Sequence, residues 1–151
     1  MKKKNLMKSL TALALSVLMV LSLAACGAKP SDGGKDEDKD GYTVAIIKQM
    51  DHASLDEIAD AIAARLDAIA QEQNVSIRYT ITSGQGDQSV LKQLADQAVA
   101  DQVDAIIPIA TTAAQVSAVA AEDSRTPVVY AAISDPDTAK LTGIDYVTGT
   151  S

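Results

Sequence analysis

Phenylalanine and tryptophan are absent from this chain, and cysteine and histidine occur once each, as Cys26 and His52. A single cysteine excludes an internal disulfide and any multi-thiolate metal site. A single histidine excludes a multi-histidine metal site, and no carboxylate cluster stands at ligand spacing around His52 to complete a zinc shell. The Gly-x-Ser-x-Gly elbow of an exported α/β hydrolase is missing. Missing too are the Gly-x-Gly-x-x-Gly spacing and the P-loop lysine that cradle phosphates. The sequence therefore implies neither a metal nor a cofactor, and no catalytic residue.

Positive charge is also scarce. The chain has 13 Lys+Arg against 20 Asp+Glu. Four of those lysines, Lys2, Lys3, Lys4 and Lys8, fall within residues 1–25, so the remainder carries 9 basic and 20 acidic residues, a formal charge of −11. Such a surface excludes nucleic acid as a partner, because Lys and Arg must replace the phosphate counterions. It also disfavours electrostatic docking on anionic lipid.

What is present begins at the N-terminus. The basic start Met1-Lys2-Lys3-Lys4 is followed by the apolar run Leu10–Leu23, 14 residues long, and then by Leu23-Ala24-Ala25-Cys26-Gly27. These are the parts of an export signal, and the run is shorter than the ~20 residues that span hydrocarbon. Leu-Ala-Ala-Cys resembles the lipobox of bacterial lipoproteins, in which the cysteine is lipidated and becomes the mature N-terminus. The alternative is an ordinary signal peptide. The expectation is a signal peptide over 1–25 and a lipid anchor on Cys26, holding the chain on the extracytoplasmic face of the cell membrane. Two or three acyl chains would hold it firmly, where one binds only marginally at ~0.8 kcal/mol per buried CH₂. Residues 26–41 are the lipidated cysteine and an acidic tether. After Cys26 this stretch has no large apolar side chain to repay its ordering entropy, and its ends lie about 20 Å apart as a flexible coil.

From residue 42 to 151 the pattern alternates. Strands are expected at Tyr42–Ile47, Val75–Ile81, Val103–Ile109, Pro127–Ile133 and Thr142–Val147. Helices are expected at Ser54–Asn74, Asp87–Ala100 and Thr112–Asp123. Leu55, Ile58, Ile62, Leu66 and Ile69 share one face of the first helix, and Ser54 with Glu57 forms a capping-box pair at its start. Alternation of this kind predicts an α/β fold: a doubly wound parallel sheet, a flavodoxin- or Rossmann-like lobe. The runs Val44–Ile47, Ala105–Ile109 and Val128–Ile133 are apolar on both faces, as strands covered by helices on both sides should be.

In such a sheet ligands bind beyond the carboxyl ends of the strands. Four polar loops leave that edge: Lys48–Ala53, Thr82–Asp87, Ala110–Thr112 and Ser134–Asp137. Three lead into helix N-termini, whose free N–H groups suit a carboxylate-bearing ligand. Plainer roles compete. Ser54, Asp87 and Thr112 are good N-caps, Asp135-Pro136 is turn chemistry, and a lone histidine such as His52 is more often a hydrogen-bonding contact than a base.

Taken in order, Ile46–Asp56, Gly84–Asp87, Ala100–Ile107, Ile109–Gln115, Ala131–Pro136 and Val147–Gly149 resemble the ABC-transporter substrate-binding proteins of the tryptophan and tyrosine family, which have the type I periplasmic-binding-protein fold. The resemblance runs from about residue 43 to the end. It implies two α/β lobes with an amino acid clamped between them, an ABC permease as partner, and no enzymatic activity. It makes Thr111 the N-cap of the third helix and places Thr112 where the family usually has proline, whereas the capping-box pattern with Gln115 favours Thr112. The implied ligand-facing set is His52, Gln85, Asp87, Thr111, Thr112, Ser134 and Asp135, with Asp135 receiving an ammonium group. The chain reaches Ser151 where such proteins cross to their second lobe, so the expectation is an N-terminal lobe only. A sensor lipoprotein of the same fold, signalling to a membrane partner, is the alternative. A response-regulator-like domain fits poorly with export.

Overall fold

The computed structural model describes residues 41–151. The signal segment, Cys26 and the tether up to residue 40 lie outside the described residues. Five strands form one all-parallel sheet: β1 (Gly41–Lys48), β2 (Ser76–Ser83), β3 (Ala105–Ile109), β4 (Val128–Tyr130) and β5 (Val147–Gly149), in the order β2-β1-β3-β4-β5. Three helices connect them: α1 (Ala53–Gln73), α2 (Gln88–Ala100) and α3 (Thr111–Ala120). This is the expected doubly wound α/β lobe. Gly41, assigned to the tether by composition, instead opens β1 opposite Ser76.

The apolar patterning explains which face each helix covers. Val44 and Ile46 of β1 point one way, and with Ile109 they meet Ala59 and the stripe Leu55, Ile58, Ile62 and Leu66 of α1. Ala45 and Ile47 point the other way and join Ile106 and Val128 under Leu91, Ala95 and Ala98 of α2 and Ala113 of α3. Ile46, Ile47, Ile106 and Ile109 are at most 1% exposed, and burying each such side chain stabilises by about 1.5–3 kcal/mol. α1 ends at Asn74, whose left-handed backbone (φ 52°) turns its N–H back onto the Ala70 and Gln71 carbonyls, a common way to satisfy the last turn.

α3 is built differently. Its buried positions are Ala113, Ala114, Ser117 and Ala118, with Ala121 just beyond. Its fully buried positions are thus no larger than serine, and Val116, partly buried, packs beside them on the sheet cluster. On its far side it packs on Tyr130, Ile133, Ala139 and Leu141.

Two expected strands differ. The run Pro127–Ile133 yields only Val128–Tyr130. Ile106 N–H donates to Pro127 O and Ala110 N–H to Ala131 O, and the donor due between them belongs to Pro108, which has none. That gap lies opposite Val129, within β4, and pairing resumes at Ala131. The strand ends because its pairing with β5 stops at Tyr130 and Ala132 turns to φ 58°, and Ile133 packs under α3 instead. The fifth strand is not Thr142–Val147 but Val147–Gly149, because Leu141 is spent on the α3 cluster and a turn closes from Val147 N–H to Ile144 O. Two-sided burial also fails at β4. α1 packs on β1, β2 and β3, and Val129 stands 36% exposed.

Candidate functional site

With every strand parallel, the four polar loops leave one edge of the sheet. Backbone hydrogen bonds sew them together there. Gly84 N–H donates to Lys48 O (2.9 Å), Gly86 N–H to Gln49 O (2.9 Å), Gln49 N–H to Ile109 O (3.2 Å) and Ala110 N–H to Ala131 O (3.0 Å). The first loop is therefore tied to the second and the third, and the third to the fourth. Gln85 (φ 52°), Ala110 (φ 78°) and Ala132 (φ 58°) are non-glycine residues with positive φ on these loops. Such backbone costs of order 1–3 kcal/mol and persists where its surroundings enforce it.

The predicted site residues all lie on this edge, and most already have local partners. His52, not Ser54, caps α1: its Nδ1 accepts from Ser54 N–H at 3.3 Å. The capping-box reading fails because the helix starts at Ala53, one position before Ser54, leaving Ser54 inside the first turn. Asp87 caps α2 as expected, with Oδ1 accepting from Ser89 N–H (2.7 Å) and Val90 N–H (3.3 Å). Gln85 is exposed at the loop tip, and its N–H donates to Ser83 Oγ. Ser134 is exposed. Asp135 accepts from Thr138 N–H (3.0 Å) and Thr138 Oγ1 (2.7 Å). These donors, the hydroxyl first, hold its carboxyl below the usual carboxylate range.

Neither threonine caps α3. The N-cap is Ala110, without a side-chain bond, and Thr111 is already helical. The missing acceptor comes from another loop: Gln49 Oε1 accepts from Thr112 N–H at 3.1 Å. The capping patterns fail here because they look only along the chain, and this partner is 63 residues away.

Two residues that pattern reading passed over organise the edge. Lys48, with a side chain 13% exposed, pairs with Asp51 (3.1 Å) and with Asp56. Both partners, Asp56 first, raise the Lys48 pKa, while Lys48 and then Ser83 lower that of Asp51. The pairing folds the first loop back on its own strand. Gln49 follows immediately. The available signal was position: both are polar residues directly after the apolar run of the central strand. Chemically, the edge offers backbone N–H groups at a helix start, several carboxylates and hydroxyls, and one half-buried ammonium that is already paired. It suits reversible binding of a polar or zwitterionic small molecule. Among the described residues no group of three or more His, Cys, Asp or Glu is arranged to hold a metal, and no helix is long and apolar enough to cross a membrane.

Comparison with known proteins gives the same direction. A solved "ABC domain" in complex with L-Trp from Streptococcus pneumonia is 33% identical over 74% of this chain, with a TM-score of 0.63. A ligand-free, open substrate binding protein with adhesive properties from Clostridium difficile is 25% identical over 73% of the chain, TM-score 0.65. A conserved domain protein from Vibrio cholerae is 27% identical over 66%, TM-score 0.59. The chain spans 38% of the length of the first two and 33% of the third. No curated protein matches the chain. The family profile described as ABC transporter substrate binding protein matches residues 43–149, and the chain belongs to that family.

Proposed function

We infer that this chain is the ligand-capturing N-terminal lobe of an extracytoplasmic receptor that delivers an amino acid, aromatic in the first instance, to an ABC importer. The observation that carries this reading is the 33% identical relative solved with L-Trp. The physical argument supports it. An amino acid presents a carboxylate and an ammonium group, and the edge sets the start of α3 near the carboxylates of the neighbouring loops. His52, Gln85, Asp87, Thr111, Thr112, Ser134 and Asp135 are the proposed contacts. Asp135 keeps lone pairs beyond those used by Thr138, so it can also accept from the ligand ammonium.

Titration calorimetry of the complete two-lobed protein against the twenty amino acids tests this. Saturable heat with L-tryptophan is expected, weakened at least about tenfold in a Thr111→Ala/Asp135→Ala double variant, the loss of roughly one charge-assisted hydrogen bond. No heat with any amino acid, or unchanged affinity in the double variant, rejects the assignment.

The lobe is held at the membrane through a lipid on Cys26, by way of residues 27–40. Its motif supports this: a basic start, an apolar run and Leu-Ala-Ala-Cys. Labelled palmitate should enter the expressed chain and be lost in Cys26→Ala; label retained in that variant rejects the anchor.

A further inference from the structure

We propose that Gln49 is the positioning residue of this edge: one residue whose side chain holds the start of α3 and whose backbone holds the neighbouring loops, across the crevice where the sheet changes winding direction. The strand order β2-β1-β3-β4-β5 puts that crevice between β1 and β3, because α1 leads from β1 toward one edge of the sheet and α3 from β3 toward the other. Loops diverge at such a point and leave a gap in which ligands of open parallel sheets sit. Here Gln49 spans the gap. Its N–H donates to Ile109 O at the end of β3, its carbonyl accepts from Gly86 N–H on the β2–α2 loop, and its Oε1 accepts from Thr112 N–H in the first turn of α3. Three loops thus meet on one residue.

The side-chain bond is the part a substitution can remove. α1 and α2 are capped from their own loops by His52 and Asp87, whereas α3 starts from Ala110, which has no side-chain acceptor. Without Gln49 the first turn of α3 loses that acceptor, and the Gly84–Asp87 loop loses a brace against α3. Gln49 therefore acts through Thr111 and Gln85, by fixing where their loops stand. Its effect on affinity rests on the ligand reading above; its effect on the loops does not.

The test compares the full chain with Gln49→Met, which keeps the length and removes the acceptor, and Gln49→Glu, which keeps an acceptor oxygen. Amide exchange by NMR is expected to be about tenfold faster at Thr112 and also faster at Gly86 in Gln49→Met, with Ile106 unchanged, and to return in Gln49→Glu. No change at Thr112 overturns the proposal. So does a change confined to Thr112, which marks an ordinary cap, and so does equal acceleration of Ile106, which marks global loosening. With L-tryptophan as the probe of the two-lobed protein, Gln49→Met should bind about tenfold weaker and Gln49→Glu near normally; equal affinity in all three overturns the positioning role. If the unsubstituted two-lobed protein binds no L-tryptophan while the exchange pattern holds, the ligand reading fails and the locking role of Gln49 stands.

Discussion

Gly84 lies so close to Leu91 that a Cβ on the glycine would overlap the Leu91 side chain, and it would also stand 3.2 Å from the Gln49 carbonyl. The β2–α2 loop is therefore pressed against the helix it leads into. Gly84→Ala should destabilise by about 1–3 kcal/mol, as overpacking does. Leu91→Ala alone should cost about 2–5 kcal/mol. Because the two side chains compete for one space, the double variant should lose less than the sum. Urea unfolding of the four proteins checks this, and strict additivity would remove the steric account.

Asp87 takes two N–H groups of the first turn of α2 on one carboxylate oxygen. Asp87→Ala should cost about 1 kcal/mol and Asp87→Asn much less, since asparagine also caps well. If Asp87 also faces the ligand, Asp87→Asn should separate the roles: near-normal thermal stability with weakened binding. Differential scanning calorimetry beside ligand titration reads both.

Ser117 is 1% exposed on α3, and its hydroxyl has no hydrogen-bond partner among the described residues. A buried polar atom left unpaired costs free energy that alanine does not incur. Ser117→Ala should therefore stabilise the lobe by about 0.5–1.5 kcal/mol. A loss of stability in denaturant unfolding would mean that the hydroxyl is satisfied in solution.

The Asp135 carboxyl is held below the ordinary range by Thr138. A depressed folded value means that this stabilisation is complete above the unfolded carboxylate value, about 3.9. It fades as the pH falls through the lower folded value. The Thr138 amide resonance should accordingly titrate only below about pH 4, and not at all in Asp135→Asn. Titration near neutral pH would contradict the turn geometry.

The fold was legible where one physical rule acted alone. Leu55, Ile58, Ile62 and Leu66 repeat at helical spacing and do form the half-buried stripe by which α1 packs on the sheet around Ala59, and the apolar run Val44–Ile47 is a strand buried on both faces. Reading failed where a residue answered to a distant partner. β4 ended where its pairing with β5 stopped and Ala132 turned, Leu141 was drawn under α3 and displaced β5, and the first turn of α3 took its acceptor from Gln49. The gathering of the loops was legible because parallel strands dictate it. The local engagement of His52 and Asp135 was legible as hydrogen-bonding and turn chemistry, but that His52 caps α1 was not, since Ser54 and Glu57 formed the more familiar pattern, and the Thr138 partner of Asp135 depends on the turn actually formed.

The alanines beneath α3 act as a thin shim under the helix. The fully buried positions of the helix are Ala113, Ala114, Ser117 and Ala118, with Ala121 just beyond, and Val116 is the one larger side chain packed beside them. Close-packed interiors transmit strain, so a methyl group added along this seam should tilt the rod, and its first turn, carrying Thr111 and Thr112, should move with it. The height of the loop edge is thus levelled from below, by residues set back from it.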